Sequence, residues 1–219
     1  MISEKHHAFL SCAFYSVLCE ELGQERGEVV FRFSVRQYAQ ECGARMAQRA
    51  MRDDCPTDGA AFLHYREWEP SAPGVFEGET LSLSPDYGYA ATRCPWREQF
   101  RTVPRCGEIY CRELNAAMVS GFHFGLEANA ACSLSEGDRC VFVLSGAKMS
   151  REEPPDPADL RDWNYHCGNL LAVYRRVAYN ILGNEQILTH RLGQKFSRAF
   201  GPRALHELEQ AARLDFAQI

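Results

Sequence analysis

Apolar residues recur at Phe9, Cys12, Tyr15, Cys19 and Leu22, the three-and-four spacing of a helix with one buried face, so residues 2–22 are predicted helical with Gly23 as the stop. A second helical pattern opens at Ser34, a suitable N-cap, and runs to Asp53, with Val35, Tyr38, Cys42 and Met46 inward and its arginines mostly outward. From Ala60 the period shortens. Residues 62–68, 80–84 and 87–92 are short, aromatic or hydroxyl-bearing, and separated by EPSAPG and SPDYG, which predicts strands of an antiparallel sheet. His64 falls in the first of these and reads as a hydrogen-bonded surface or rim residue. Pro95 and Trp96 begin a short helical turn, 107–121 reads as a helix closed by Gly121, and 122–132 alternates like a strand. EGDR at 136–139 turns the chain into a last strand, 139–144.

The proline-rich stretch 151–159 is a surface crossing. Beyond it Leu160, Trp163, Cys167, Leu170, Tyr174, Val177 and Ile181 mark a long helix ending at Gly183, followed by helical segments around Phe196 and over 205–214, the latter opened by Pro202. The predicted architecture is α+β: an antiparallel sheet flanked by helices over 1–150, and a helical extension over 151–219 packed on it or on a partner protomer. A homo-oligomer is the accompanying expectation.

Composition changes this picture by exclusion. With 46% hydrophobic and 24% charged residues among 219, the chain has the material for one main core. A net charge of -5, with Arg and Lys scattered among acids, gives no electrostatic footprint for nucleic acid. The opening residues carry no signal-peptide apolar region, and no apolar run reaches the ~20 residues of a membrane span. The expected setting is the cytoplasm, where thiols stay reduced, so the ten cysteines read as buried small hydrophobes, metal ligands or catalytic groups. Cys12 and Cys19 fall on the apolar helical face and read as core. Arg45, Arg49 and Arg52 could hold an anionic substrate from one helix face, although a solvated face is the commoner use of such a run.

Candidate chemistry concentrates between Thr92 and Leu144, which holds Cys94, Cys106, Cys111, Cys132 and Cys140 together with Glu113, Asn115 and His123. Cys111 and Asn115 are four apart and share a helical face, whereas Glu113 points elsewhere. On an alternating strand His123 points away from Phe122 and Phe124, toward solvent or a cleft. A thiolate near an imidazole can act as nucleophile with the histidine moving protons, which makes Cys111, His123 and Asn115 the catalytic candidates. Without a C-x-x-C knuckle the zinc signal is weak, but Cys94, Cys111 and Cys140 could converge with His123 on a divalent metal such as zinc. Packing remains the reading for Cys106 and Cys132.

CPW at Cys94, YC at Tyr110 and Cys111, GF at Gly121 and Phe122, and EGDRCVF from Glu136 to Phe142 occur in the order of the L-2-amino-thiazoline-4-carboxylic acid hydrolase family, which the chain resembles. FYSVLCEELG from Phe14 to Gly23 and CGARMAQRA from Cys42 to Ala50 resemble its paired helices, so the likeness runs from Ala8 to Leu144. It implies a small-molecule substrate and hydrolysis of a C–S or C–N bond in a cyclic isothiourea, opened to a carbamoyl-cysteine. Such a reaction asks for a nucleophile or activated water, a proton donor, and a cation for a substrate carboxylate. Cys111, His123, and Arg93, Arg112 or Arg139 could fill these roles, with Tyr110 beside them. The family pattern favours Asp where this chain has Asn115 and Asn where it has His123. The competing reading is a non-catalytic ligand-binding or sensor domain with a structural metal at its cysteines.

Overall fold

The structure is a computed structural model and describes residues 1–132, 137–152, 154–183 and 186–218. Its elements are α1 (Glu4–Leu22), α2 (Gln24–Arg52), α3 (Gly59–His64), β1 (Glu77–Ser82), β2 (Tyr87–Arg93), α4 (Arg97–Thr102) and α5 (Pro104–Phe122). After these come β3 (Glu127–Cys132), β4 (Cys140–Ser145), α6 (Trp163–Leu182), α7 (Gln186–Phe200) and α8 (Pro202–Ala211). The fold is α+β: a four-stranded antiparallel sheet of order β1-β2-β4-β3 beside a larger helical layer. No helix among the described residues is long and apolar enough to cross a membrane.

Gly23, at φ 80, turns the chain from α1 directly into α2. The second helix therefore begins ten residues before the expected cap, and Ser34 is interior, its hydroxyl donating to the Val30 carbonyl at 2.8 Å. The first helix is buried well beyond one face: Glu4, His7 and Ser11 lie inside along with Leu10, Phe14, Val17 and Leu18. It is the axis around which the other helices pack. The buried Glu4 carboxylate accepts from the Ser71 amide and hydroxyl, both at 2.7 Å, which offsets its desolvation.

Helices α2 and α5 cross with almost no side chain between them. A Cβ at Gly43 would stand 2.0 Å from the Met118 carbonyl oxygen, and one at Gly121 2.4 Å from that of Gln40. Gly121 thus lies within α5, as part of this crossing, and the helix ends at His123. The residues expected as a first strand form α3 instead, because the Asp58 carboxylate caps it by accepting from the Ala61 amide at 3.0 Å. His64 accordingly sits on a helix, with Nδ1 donating to the Pro154 carbonyl at 2.8 Å.

Two apolar clusters result. One joins Phe14, Phe31, Val35, Tyr38 and Ile109 to Trp163, Cys167, Leu170 and Tyr174 of α6, with Phe14 stacked on Tyr174 at 4.0 Å. The residues after the proline-rich crossing are therefore part of the main core. The other cluster seats the sheet, through Tyr87, Ala128 and Leu144, on Met46 and Ala50 of α2, Phe62 of α3, and Val119 and Phe122 of α5.

Candidate functional site

Strand β2 ends at Arg93 and runs through Cys94 and Pro95 into α4, while β4 starts at Cys140, paired with Ala91. Both strand ends lie beside Cys111 of α5, and all three thiol-bearing residues are half-buried. Burial, followed by the proximity of Cys94, Cys140 and Cys12, pushes the Cys111 thiol well above its ordinary range. For Cys94 burial dominates, raising the thiol to about 11, but the Trp96 and Arg97 backbone N–H groups and the Arg97 guanidinium pull the other way. Of Cys94 and Cys111, Cys94 is the one with neighbouring groups that favour a thiolate. Arg97 Nη2 donates to the Gly137 carbonyl at 3.4 Å, while its Nε is buried without a hydrogen-bond partner.

Trp96, two residues after Cys94, forms a wall between this junction and the interior. Its indole N–H donates to Nδ1 of His7 at 3.2 Å, and the Tyr110 hydroxyl donates to the same nitrogen at 3.4 Å. Since an indole nitrogen can only donate, Nδ1 is the acceptor and His7 carries its proton on Nε2, which donates to the Tyr38 hydroxyl at 3.3 Å. Burial, reinforced by the neighbouring His166, lowers His7 to about 3, so the imidazole is neutral at ordinary pH. Trp68, Trp96 and Trp163, the only three tryptophans of the chain, pack on one another at ring distances of 5.6 to 6.4 Å, and Trp96 and Trp163 also meet this histidine edge-on.

Beyond Trp163 lies a buried charge network. Arg45 donates to both oxygens of Glu67, at 2.9 and 2.7 Å, and Arg49 stands 2.8 Å from Glu67 and 3.3 Å from Asp159. Burial opposes ionisation of Glu67, but the hydrogen bonds and charge of Arg45 and the charge of Arg49 outweigh it and hold the carboxyl below its ordinary range. His166 Nε2 donates to the Glu67 carbonyl at 3.1 Å, tying α6 to the same segment. Arg45 and Arg49 are thus interior, contrary to a solvated face. Arg52 alone of the run is exposed, paired with Asp53.

The anticipated catalytic group is dispersed. Cys111 and Asn115 share a face of α5, but His123 is the C-cap of that same helix, and twelve residues at the helical rise put it about 18 Å along the axis from Cys111. The segment 122–126 is not strand: Phe122 is buried, Phe124 is exposed, and His123 Nδ1 accepts from the Gly125 amide while its ring stacks on Phe124. Glu113 is buried between Arg32 and Arg36 of α2. Tyr110 serves the His7 cluster. Arg93 and Arg112 are exposed and paired with Glu77 and Glu108, and Arg139 is exposed and also engaged. Cys106 is buried beside Cys12. The side chain of Cys132, and Glu136 in the expected turn, lie outside the described residues. Among the described residues no three His, Cys, Asp or Glu side chains are arranged to hold a metal ion.

Sequence reasoning overlooked Trp96, Arg97, His7 and Glu67. His7 interrupts an apolar helix, and Arg45 and Arg49 are spaced to share a helix face; both were available signals. Nothing in the sequence brought Glu67 to them.

No curated protein and no solved structure matches the chain. A family model described as L-2-amino-thiazoline-4-carboxylic acid hydrolase matches residues 3–144, which takes in every group of the thiol junction and, of the interior network, His7, Arg45, Arg49 and Glu67. The chain belongs to the L-2-amino-thiazoline-4-carboxylic acid hydrolase family.

Proposed function

We propose that this chain opens a small cyclic isothiourea of the 2-amino-thiazoline type by hydrolysis, at the junction of Cys94, Cys111, Cys140 and Trp96. The reading is supported by the placement of three half-buried thiols, at the end of β2, at the start of β4 and on α5, on the side of an anchored tryptophan and inside the family-matched segment. The Cys94 sulfur attacks the amidine carbon, the ring C–S bond breaks, and the leaving sulfur takes a proton to become a thiol. Water then adds to the same carbon, the bond to Cys94 breaks, and a urea is released with the enzyme thiol restored. The two steps consume one water in all.

Cys94 is favoured as nucleophile by the N–H groups of Trp96 and Arg97 and by the Arg97 charge. A cationic amidinium ring against the thiol would favour the thiolate further, so the substrate helps to generate its own attacker. Burial keeps Cys111 protonated, which suits it as the proton donor to the departing sulfur. His123 has no part in this scheme. The competing reading, a sensor with a structural metal, finds no three-donor group among the described residues to support it. Incubation of the full chain with 2-amino-thiazoline-4-carboxylate, followed by mass spectrometry, should yield a product heavier by one water. A substrate recovered intact, with 2-amino-thiazoline also unchanged, would reject the proposal.

A further inference from the structure

We infer that Arg97 is the residue of the thiol junction that recognises the carboxylate which the hydrolase reading gives to the substrate, and so sets the preference for rings that carry one. This rests on the hydrolase reading for the identity of the ring, but its own ground is the guanidinium.

Most arginines of the chain are satisfied by acids. Arg93 and Arg112, near the same end of the sheet and helix, are paired with Glu77 and Glu108. Arg97 has no acidic partner among the described residues, although it is half-buried. Nη2 holds the Gly137 carbonyl, a neutral acceptor, at a long 3.4 Å, and Nε is shut away from water with nothing to donate to. A buried, unmatched donor on a permanently charged group is costly, and such cost persists where the group serves a ligand. The Nη1 and Nη2 end of the guanidinium is not shut away, and it can grip a carboxylate with two parallel hydrogen bonds.

Position agrees with that role. Arg97 adjoins Trp96, whose ring is fixed by its bond to His7, and the Arg97 charge reaches the Cys94 thiol. A planar ring lying against Trp96, with its acid on Arg97, would present its amidine carbon on the side of Cys94. Arg97 in this role binds and orients, and does not enter the bond changes.

The test is binding of two probes to the full chain, followed by tryptophan fluorescence: 2-amino-thiazoline-4-carboxylate and 2-amino-thiazoline, which lacks the acid. The wild type should prefer the carboxylate by about 10- to 100-fold, the range for a charge-assisted pair. Arg97→Gln should bring the two probes to near parity, Arg97→Lys should retain part of the preference, and Arg101→Gln, an exposed charge on the same short helix, should retain all of it. If Arg97→Gln does not fold, as judged by its melting curve, Arg97→Lys carries the test, and an undiminished preference there overturns the assignment. So does an Arg97→Gln protein that still discriminates, a wild type that does not, or a wild type that binds neither probe. Ring opening by a wild type whose preference survives Arg97→Gln overturns Arg97 alone. Binding that depends on Arg97 without any ring opening overturns the hydrolase reading and leaves Arg97 in place.

Discussion

Trp96 donates its indole N–H to Nδ1 of His7 across 3.2 Å, which sets the histidine tautomer and locks the indole against the helical core. The consequence is a dependence of stability on acid. His7 takes up a proton near pH 3 in the folded chain and near 6.5 when unfolded, so between these values the unfolded state binds more protons. Stability is therefore fully present above 6.5 and falls as pH drops toward 3, by up to about 1.4 kcal/mol per pH unit from this group. His166, lowered by its own burial, adds in the same direction; the Tyr38 and Tyr110 hydroxyls facing His7 are pushed upward and stay neutral. Urea midpoints at about pH 7.5 and about pH 5 should differ less in His7→Gln than in the wild type. An unchanged difference would dissociate His7 from the acid response.

The interior ion network predicts an asymmetry between the buried and the exposed parts of the arginine run on α2. Glu67→Gln strands Arg45 and Arg49 away from water and should cost about 3–5 kcal/mol, whereas Arg52→Ala at the exposed end of the same run should cost under about 1 kcal/mol. Denaturant titration of the two variants checks this, and comparable losses would deny the network its structural role.

Gly43→Ala should be among the most damaging single-methyl additions to this chain. Its Cβ would meet the Met118 backbone carbonyl, which cannot swing aside as a side chain would, so α2 and α5 must part at a cost of about 3 kcal/mol or more. Ala at Gly193, where only Leu205 is near, is the matched comparison and should be nearly neutral or slightly stabilising in thermal melts. Equal melting temperatures for the two would contradict the tight crossing.

Among the candidate catalytic groups the expected ranking is Cys94, then Cys111, then His123. Cys94→Ser should remove ring opening to the detection limit, and Cys111→Ser should lower kcat by roughly 100-fold or more. His123→Ala should retain activity, since the helix itself separates it from the thiols. Product formation with 2-amino-thiazoline-4-carboxylate would measure all three, and a dead His123→Ala with intact Cys94→Ser activity would reverse the order.

The elements that sequence periodicity resolved were those with clear punctuation, such as the helix ending at Gly183, which has the left-handed φ of 68 expected of a stop, and the one opened by Pro202. It failed where two signals competed. Ser34 looks like a cap, yet α2 passes through it because a hydroxyl can bond back to the preceding turn. Residues 60–64 are apolar and short, and only the Asp58 cap decides for helix. At the site, Cys94, Cys111 and Cys140 were visible as residue types, but their convergence depends on strand register, and no local pattern records that. Misplacing the end of α5 by two residues was enough to move His123 from a strand face to a helix terminus.

The match to the family stops at residue 144, whereas the core does not. Trp163, Cys167, Leu170 and Tyr174 fill the trough between α1 and α2, and Asp159 and His166 complete the charges and hydrogen bonds around Glu67. A version trimmed to the family boundary would be a half-shell with a wet, sticky seam, prone to self-association before any assay. For this chain, the unit to express, crystallise or engineer reaches through the last helices, and a family outline is a poor guide to where to cut.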